Sequence, residues 1–216
     1  MKIGIVVAME KELLPLVKLL GEYKKESIYM NDVYTFTEYP DVIAVKSGIG
    51  EIQAATAALL LIERYGAERI LNYGFVGSYD ESLNVGDIVN ITGVFHCDMD
   101  LQCAGKPAGM YDEFDFTEFK IDSDFISGFK TMKLSSSDRF LEDGPERDEI
   151  IKTFGKNVAD MEGAGIAVIC HKAGIPCSFL NCVSNTVTQS FDDYYQFSIN
   201  GIKECAKEIF KLAGGK

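Results

Sequence analysis

The chain has 216 residues, 47 % of them hydrophobic and 25 % charged, with a formal net charge of −12; these are ordinary proportions for a soluble globular protein that buries its own core. An acidic chain with no basic run is not built to hold a phosphate backbone, so nucleic acid is excluded as a partner. No apolar run approaches a membrane span, and the start, MKIGIVVAMEKEL, is too short and too acidic for a secretory signal, so no membrane association and a cytoplasmic location are expected.

In chain order, IGIVVAM reads as a β-branched strand buried on both faces, followed by the amphipathic helix EKELLPLVKLLGEY with Leu13, Leu14, Val17 and Leu20 at helical spacing. VIAVKSGIG and EIQAATAALLLIERYGAE repeat the strand, glycine turn and helix. RILNYGFVGSY reads as a strand entering a glycine-rich turn, and VGDIVNITGVF as a further strand. Residues 97 to about 130 lose the pattern and read as a long loop over a site, with a short strand near TEFKI. SGFKTMKLSSS is the next strand and RDEIIKTFG a short helix. NVADMEGAGIAVICHKAG runs from strand into helix, IPCSFLNCVSN is the last strand, and FDDYYQFSINGIKECAKEIFKLAG the last helix. Alternating strands and helices predict an α/β fold with a mainly parallel central sheet, here as one domain over residues 1–216.

In such sheets, sites form beyond the carboxyl ends of the strands. Four segments there are predicted as turns: Met9 to Glu12, Ser47 to Gly50, Gly74 to Gly77, and Met161 to Ala164; Ser184 and Asn185 join them. Gly48 and Gly50 lack the third glycine of a dinucleotide fingerprint, and no GxxxxGK[ST] phosphate loop exists. The six cysteines contain no CxxC pair and only His96 and His171 accompany them, so no zinc site is expected. Cys170, Cys177 and Cys182 stand among apolar residues and read as small core hydrophobes; a reactive thiol is conceivable at Cys97. Glu10, Glu12 and Glu162 open helices, where a carboxylate is favoured by the helix dipole alone. Carboxylates at two converging turns also suit acid–base work on one substrate, one holding hydroxyls and the other activating water. The strand CSFLNCVSNTV carries Asn181 and Asn185 four residues apart, which regular alternation would put on one face.

MKIGIVVAMEKE, VKSGIGEIQAA, NYGFVGSYDESLNVGDIV, FHCDMD, LSSSDRF and ADMEGAGIAVICH together resemble, in order and from residue 1 to the last helix, the 5′-methylthioadenosine/S-adenosylhomocysteine nucleosidases of the nucleoside phosphorylase superfamily. The resemblance implies a three-layer α/β/α fold with a mixed, partly barrel-like central sheet, and a homodimer or larger oligomer. It implies cleavage of a purine nucleoside at its N-glycosidic bond through an oxocarbenium-like transition state, with no cofactor and no metal. Carried over by position, Glu12 falls on the glutamate that activates water, Glu162 on the one that binds the ribose hydroxyls, and Met161 beside it lines the ribose pocket. Phe140 falls on the aromatic that stacks on the base, and Leu141 on a backbone contact to the base edge.

Three positions depart from the family's pattern. Asn185 stands where the nucleosidases have the aspartate that assists departure of adenine, and Asn181 where they usually have an arginine. Phe75, followed by Val76 and Gly77, stands where they usually have a Ser or Thr. An amide is no general acid, but its NH₂ donates to N7 or O6 of a purine and its oxygen accepts from N1–H. Trimeric purine nucleoside phosphorylases, which prefer inosine and guanosine, also place an asparagine there. Asn185, with Ser184 beside it and Thr186 and Val187 after it, therefore points to a 6-oxopurine nucleoside such as inosine or futalosine, as against the family's standard adenine substrates. No arginine occurs in the first turn, the third turn or the last strand, which favours water over phosphate as the acceptor. A phosphorylase with a rearranged phosphate site, and a nucleoside-binding protein with little activity, remain open at this point.

Overall fold

The computed structural model describes residues 1–140, 144–186 and 194–215, and side chains in the last helix from Ile199 onward. Among them runs a 10-stranded mixed sheet. Its strands are β1 (Ile3–Val7), β2 (Tyr23–Ile28), β3 (Asn31–Phe36), β4 (Val42–Lys46), β5 (Arg69–Ser78), β6 (Ile88–His96), β7 (Glu118–Lys120), β8 (Lys130–Ser136), β9 (Val158–Asp160) and β10 (Cys177–Thr186). The helices are α1 (Glu10–Leu20), α2 (Glu51–Tyr65), α3 (Pro145–Phe154), α4 (Gly163–Ala173) and α5 (Tyr194–Leu212).

Strands β5, β10, β6, β8 and β9 close on one another into a barrel-like ring, because β5 pairs with both β10 and β9. From β5 the sheet continues outward through β1, β4, β3 and β2. The β2–β3 hairpin, whose strands alternate too weakly to stand out in the sequence, forms the far edge.

Two apolar cores hold the three layers together. On one face, Leu13, Leu16, Val17 and Leu20 of α1 and Ile202, Cys205, Ala206 and Ile209 of α5 pack on Ile5, Val7, Leu71, Tyr73 and Leu180. On the other, Ala54, Ala57, Ala58 and Leu61 of α2 and Ala164, Ile166 and Ala167 of α4 pack on Val6, Val45, Ile70 and Phe179. Burial of this kind contributes about 1.5–3 kcal/mol for each large aliphatic side chain, which is what fixes the helices to the sheet. The small residues of α4 have a specific purpose. A Cβ on Gly165 would run into the backbone carbonyl of Glu51, so only glycine lets the amino ends of α2 and α4 meet.

The segment between β6 and β8, expected as a long loop with a short strand, holds β7 and a packed aromatic cluster. Tyr111, Phe114, Phe116 and Phe119 form a ring-on-ring cluster with His171 of α4, with centroids 5.0–5.9 Å apart. Its aromatic half packs inward, because burying four rings outweighs leaving them in a solvated loop.

Candidate active site

Strands β1, β4, β5 and β10 run parallel, so their carboxyl ends gather on one side. Strand β9 runs antiparallel to β5 and carries Asp160 and the turn after it back along that strand. The expected site residues thus come from five separate strand ends.

Glu12 is 2 % exposed. It reaches back along the first turn of α1, where its Oε2 accepts a hydrogen bond from the Met9 N–H at 2.9 Å. Its Oε1 accepts from the Phe75 N–H of β5, also at 2.9 Å, and the Tyr73 hydroxyl donates to its backbone carbonyl at 2.8 Å. The carboxylate is therefore held at both oxygens. Burial nevertheless pushes its pKa up to about 7, against the pull of the two backbone N–H groups and of Lys11. That places Glu12 where a general base is most effective at neutral pH.

Residues 74–77 do not form the expected turn; they are strand through to Ser78. Their glycines are there for a different reason. A Cβ on Gly74 would come within 3.2 Å of Glu12 Oε1, and a Cβ on Gly77 within 3.3 Å of Asn185 Nδ2. Each glycine lets one polar side chain lie against the strand. Gly74 and Gly77 are three positions apart on β5, about 10 Å along the strand. Phe75 supplies its N–H to Glu12, while its ring lines a groove of about 460 Å³ between α1 and α5 with Leu14, Pro15 and Ile202, under the ammonium of Lys11.

Glu162 precedes α4, and its Oε1 accepts from the Gly50 N–H at 2.9 Å. Gly50 holds φ at +113°, a conformation that strongly favours glycine, which turns this N–H toward Glu162. Burial raises the Glu162 pKa, and the neighbouring Asp160, Glu12 and Glu51 carboxylates raise it further. Glu12 and Glu162 are thus close enough to feel each other's charge. Met161 lies between Asp160 and Glu162, half-buried.

On β10, Ser184 is 2 % exposed, and its hydroxyl lies 3.1 Å from the Val76 carbonyl and 2.9 Å from Asn185 Oδ1. The Ser184 hydroxyl has one hydrogen for these two acceptors, and the Asn185 amide brings one acceptor and one NH₂ donor to the strand end. The register of β10 on β5 slips between Val183 and Asn185: Asn181 lies opposite Gly74, Val183 opposite Val76, and Asn185 opposite Gly77. This bulge overturns the expectation that the two asparagines share a face, because one extra residue inverts the alternation. Asn181 is enclosed in the sheet at 1 % exposure, and its Oδ1 accepts no hydrogen bond from any described residue.

Phe140 follows β8 and is exposed; Leu141 lies outside the described residues. Arg139, the nearest arginine to Phe140, is paired with Asp98 at 3.0 Å and Glu146 at 3.1 Å. Cys97 is no thiolate, since burial pushes its thiol up to about 12.

Three participants were missed in the sequence. Glu51, Ser136 and Asp160 meet behind Glu162, with the Ser136 hydroxyl 2.6 Å from Glu51 and 2.5 Å from Asp160. The one signal was a second acid two residues before Glu162, and it is legible only once β8, β9 and α2 are brought together. Among the described residues, no group of His, Cys, Asp and Glu is arranged to hold a metal ion.

The chain is 31 % identical to the 5′-methylthioadenosine/S-adenosylhomocysteine nucleosidase of Bacillus subtilis, over 98 % of this chain and 99 % of that protein. It is 28 % identical to the aminodeoxyfutalosine nucleosidase of Campylobacter jejuni, over 98 % of each. The crystal structure of the Campylobacter jejuni 5′-methylthioadenosine/S-adenosylhomocysteine nucleosidase superposes with a TM-score of 0.89 at 27 % identity, covering 98 % of both chains. The family model described as the phosphorylase superfamily matches residues 2–213, and the chain belongs to that superfamily.

Proposed function

We propose that this protein is a purine nucleoside N-ribosyl hydrolase. The observation that carries the reading is Glu12: a carboxylate buried at a strand end, held at both oxygens by backbone N–H groups, with a pKa near 7 and Glu162 close by. Glu12 takes a proton from water as the water oxygen bonds to C1′ of the ribose. Glu162 holds the ribose hydroxyls, and Met161 packs against the sugar. The bond from C1′ to the base breaks, and the base leaves hydrogen-bonded to the Asn185 NH₂, with Phe140 stacked on its face. An amide gives up no proton, so the departing base takes its proton from solvent. Two named nucleosidases that cover almost the whole chain support hydrolysis over phosphorolysis and over simple binding. Phe75 presents a ring in place of a Ser or Thr hydroxyl, and Arg139 is ion-paired with Asp98 and Glu146.

Among purine nucleosides, the amide of Asn185 favours a 6-oxopurine base. Such a base spreads its negative charge onto O6 and depends less on an acid than adenine does. The adenine substrates named for the relatives, methylthioadenosine and S-adenosylhomocysteine, are the second reading, and identity along the whole chain supports them.

We further propose a cytoplasmic homodimer. No helix among the described residues is long and apolar enough to cross a membrane. Ile52 and Leu59 lie exposed seven residues apart on α2, next to exposed Ile49. Ile49 and Ile52 flank the Gly50 N–H that holds Glu162, so a second copy seated there would border the site. Replacing Ile52 with Glu should shift the sedimentation of a dimer toward monomer.

The test of the activity is release of free base from methylthioadenosine, S-adenosylhomocysteine, inosine, guanosine and futalosine, with and without phosphate. Release without phosphate is expected. Release that requires phosphate overturns hydrolysis, and adenine released faster than hypoxanthine overturns the reading of Asn185.

A further inference from the structure

Behind Glu162 lies an arrangement that simple ionic bookkeeping does not allow. Ser136 is fully buried, and its single hydroxyl oxygen sits 2.6 Å from Glu51 Oε1 and 2.5 Å from Asp160 Oδ1. A hydroxyl carries one hydrogen and donates it once. Two ionised carboxylates at these distances would leave one of them facing a lone pair. One of the two carboxyls must therefore carry a proton and donate it to Ser136.

The surroundings say which. Burial raises the Asp160 pKa to about 6, less far than that of Glu51, because Asp160 opens the turn before α4 and accepts the Gly163 N–H at 2.9 Å and the Glu162 N–H, which favour its ionised form. Glu51 is 5 % exposed and accepts a single backbone N–H, that of Gly165. The titratable groups that face Glu51 are Asp160 and Asp138 from the ends of β9 and β8, Glu162 from the turn before α4, and Cys97 and Tyr111 from the segment after β6. Neither Glu51 nor Asp160 makes an ion pair with any described Lys or Arg. Enclosed among acids, a carboxyl keeps its proton.

We propose that Glu51 is a positioning residue for the reaction, working as a neutral acid: it donates to Ser136, Ser136 donates to Asp160, and this chain fixes the turn that aims Glu162 at the sugar. Glu51 acts on Glu162 from a second direction as well. It follows Gly50, whose N–H holds Glu162, and its own N–H is anchored by Asp138 at 2.7 Å. One side chain and its backbone therefore brace both the turn that carries Glu162 and the N–H that binds it. Its pKa, pushed up to about 8 mainly by burial and next by Asp160, is consistent with a proton retained at neutral pH. Above that pH two anions would flank one hydroxyl, the chain would open, and Glu162 would lose its aim.

The kinetic half of the test rests on the hydrolase reading and the spectroscopic half does not. Infrared spectra of the whole protein at neutral pH should show a protonated-carboxyl C=O band that is lost in Glu51→Gln and shifted in Ser136→Ala, which keeps both carboxyls but removes the bridge. In kinetics, Glu51→Ala should raise KM roughly 10- to 100-fold with a smaller change in kcat, as expected when a binding group is misplaced. Glu51→Gln, whose NH₂ donates to Ser136 at any pH, should restore most of that loss and keep KM low above pH 8, where the native enzyme weakens. A band that is the same in native and Glu51→Gln protein overturns the proposal whatever the protein hydrolyses. A Glu51→Gln pH profile that superimposes on the native one overturns the link to Glu162.

Discussion

The two ends of the site are built from opposite materials. The proposed sugar end gathers Glu12, Glu51, Asp160 and Glu162, with oxygens of all four held by backbone N–H groups. The base end offers neutral groups: the Ser184 hydroxyl and the Asn185 amide, with a described hydrogen bond between them. In this reading, carboxylates dominate one end and neutral hydrogen-bonding groups on β10 the other, which divides the chemistry. Activation of water and orientation of ribose are electrostatic and depend on proton occupancy. Recognition of the base depends on hydrogen-bond complementarity and is insensitive to pH in the neutral range.

The sharpest break in this contrast comes at the charged end. Glu12→Gln should lower kcat roughly 10²- to 10⁴-fold, the range expected for loss of a general base, while a nucleoside still protects the variant against thermal unfolding. In the native enzyme, kcat/KM should rise with pH through about 7 as Glu12 ionises; an activity flat across that range would remove Glu12 from the role of base. At the neutral end, Asn185→Asp should restore an acid and raise adenine release roughly 10-fold or more, with a smaller effect on hypoxanthine release. Equal effects on both bases would mean that Asn185 does not read the base.

Stability should separate the two ends as well. Glu12, Glu51 and Glu162 have folded-state pKa values raised above the unfolded carboxylate value. The folded state therefore binds more protons, and the stability linked to these groups is fully present below about pH 4.5 and lost as pH rises through about 7 to 8. Glu12 alone contributes a change of about 3 kcal/mol across that window. Tm should thus be lower at pH 8.5 than at pH 5.5, and Glu12→Gln should flatten the slope. The smallest effect is expected at Asn181, whose buried Oδ1 is unpartnered. Asn181→Leu should leave stability unchanged or raise it by about 1 kcal/mol in urea unfolding, since an orphaned acceptor is removed at similar volume. A clear loss would mean that the amide is satisfied by a buried water.

Much of this architecture was legible because local patterns carry it. The strand at Ile3–Val7, the helix at Glu10–Leu20 and the small-residue helix after Glu162 follow from periodicity and turn chemistry that neighbours in sequence enforce. The motif positions of Glu12 and Glu162 were legible too, and the structure brings the two within electrostatic reach. Where the sequence misled, the cause was non-local. Gly74 and Gly77 look like a turn, but their missing side chains make room for Glu12 and Asn185 from other strands. Asn181 and Asn185 look like neighbours on one face, but pairing with β5 inserts a bulge between them.

By itself, the sequence determined the layers, the order of elements and the identity of the acids at each strand end, because propensity and hydrophobic spacing act over a few residues. The tertiary structure alone decided which acids flank one hydroxyl, which glycines admit a side chain and which asparagine lies against Gly77. Those depend on distances between strands far apart in the chain. At Ser136 the deciding quantity is one hydrogen between two carboxyls contributed by α2 and β9.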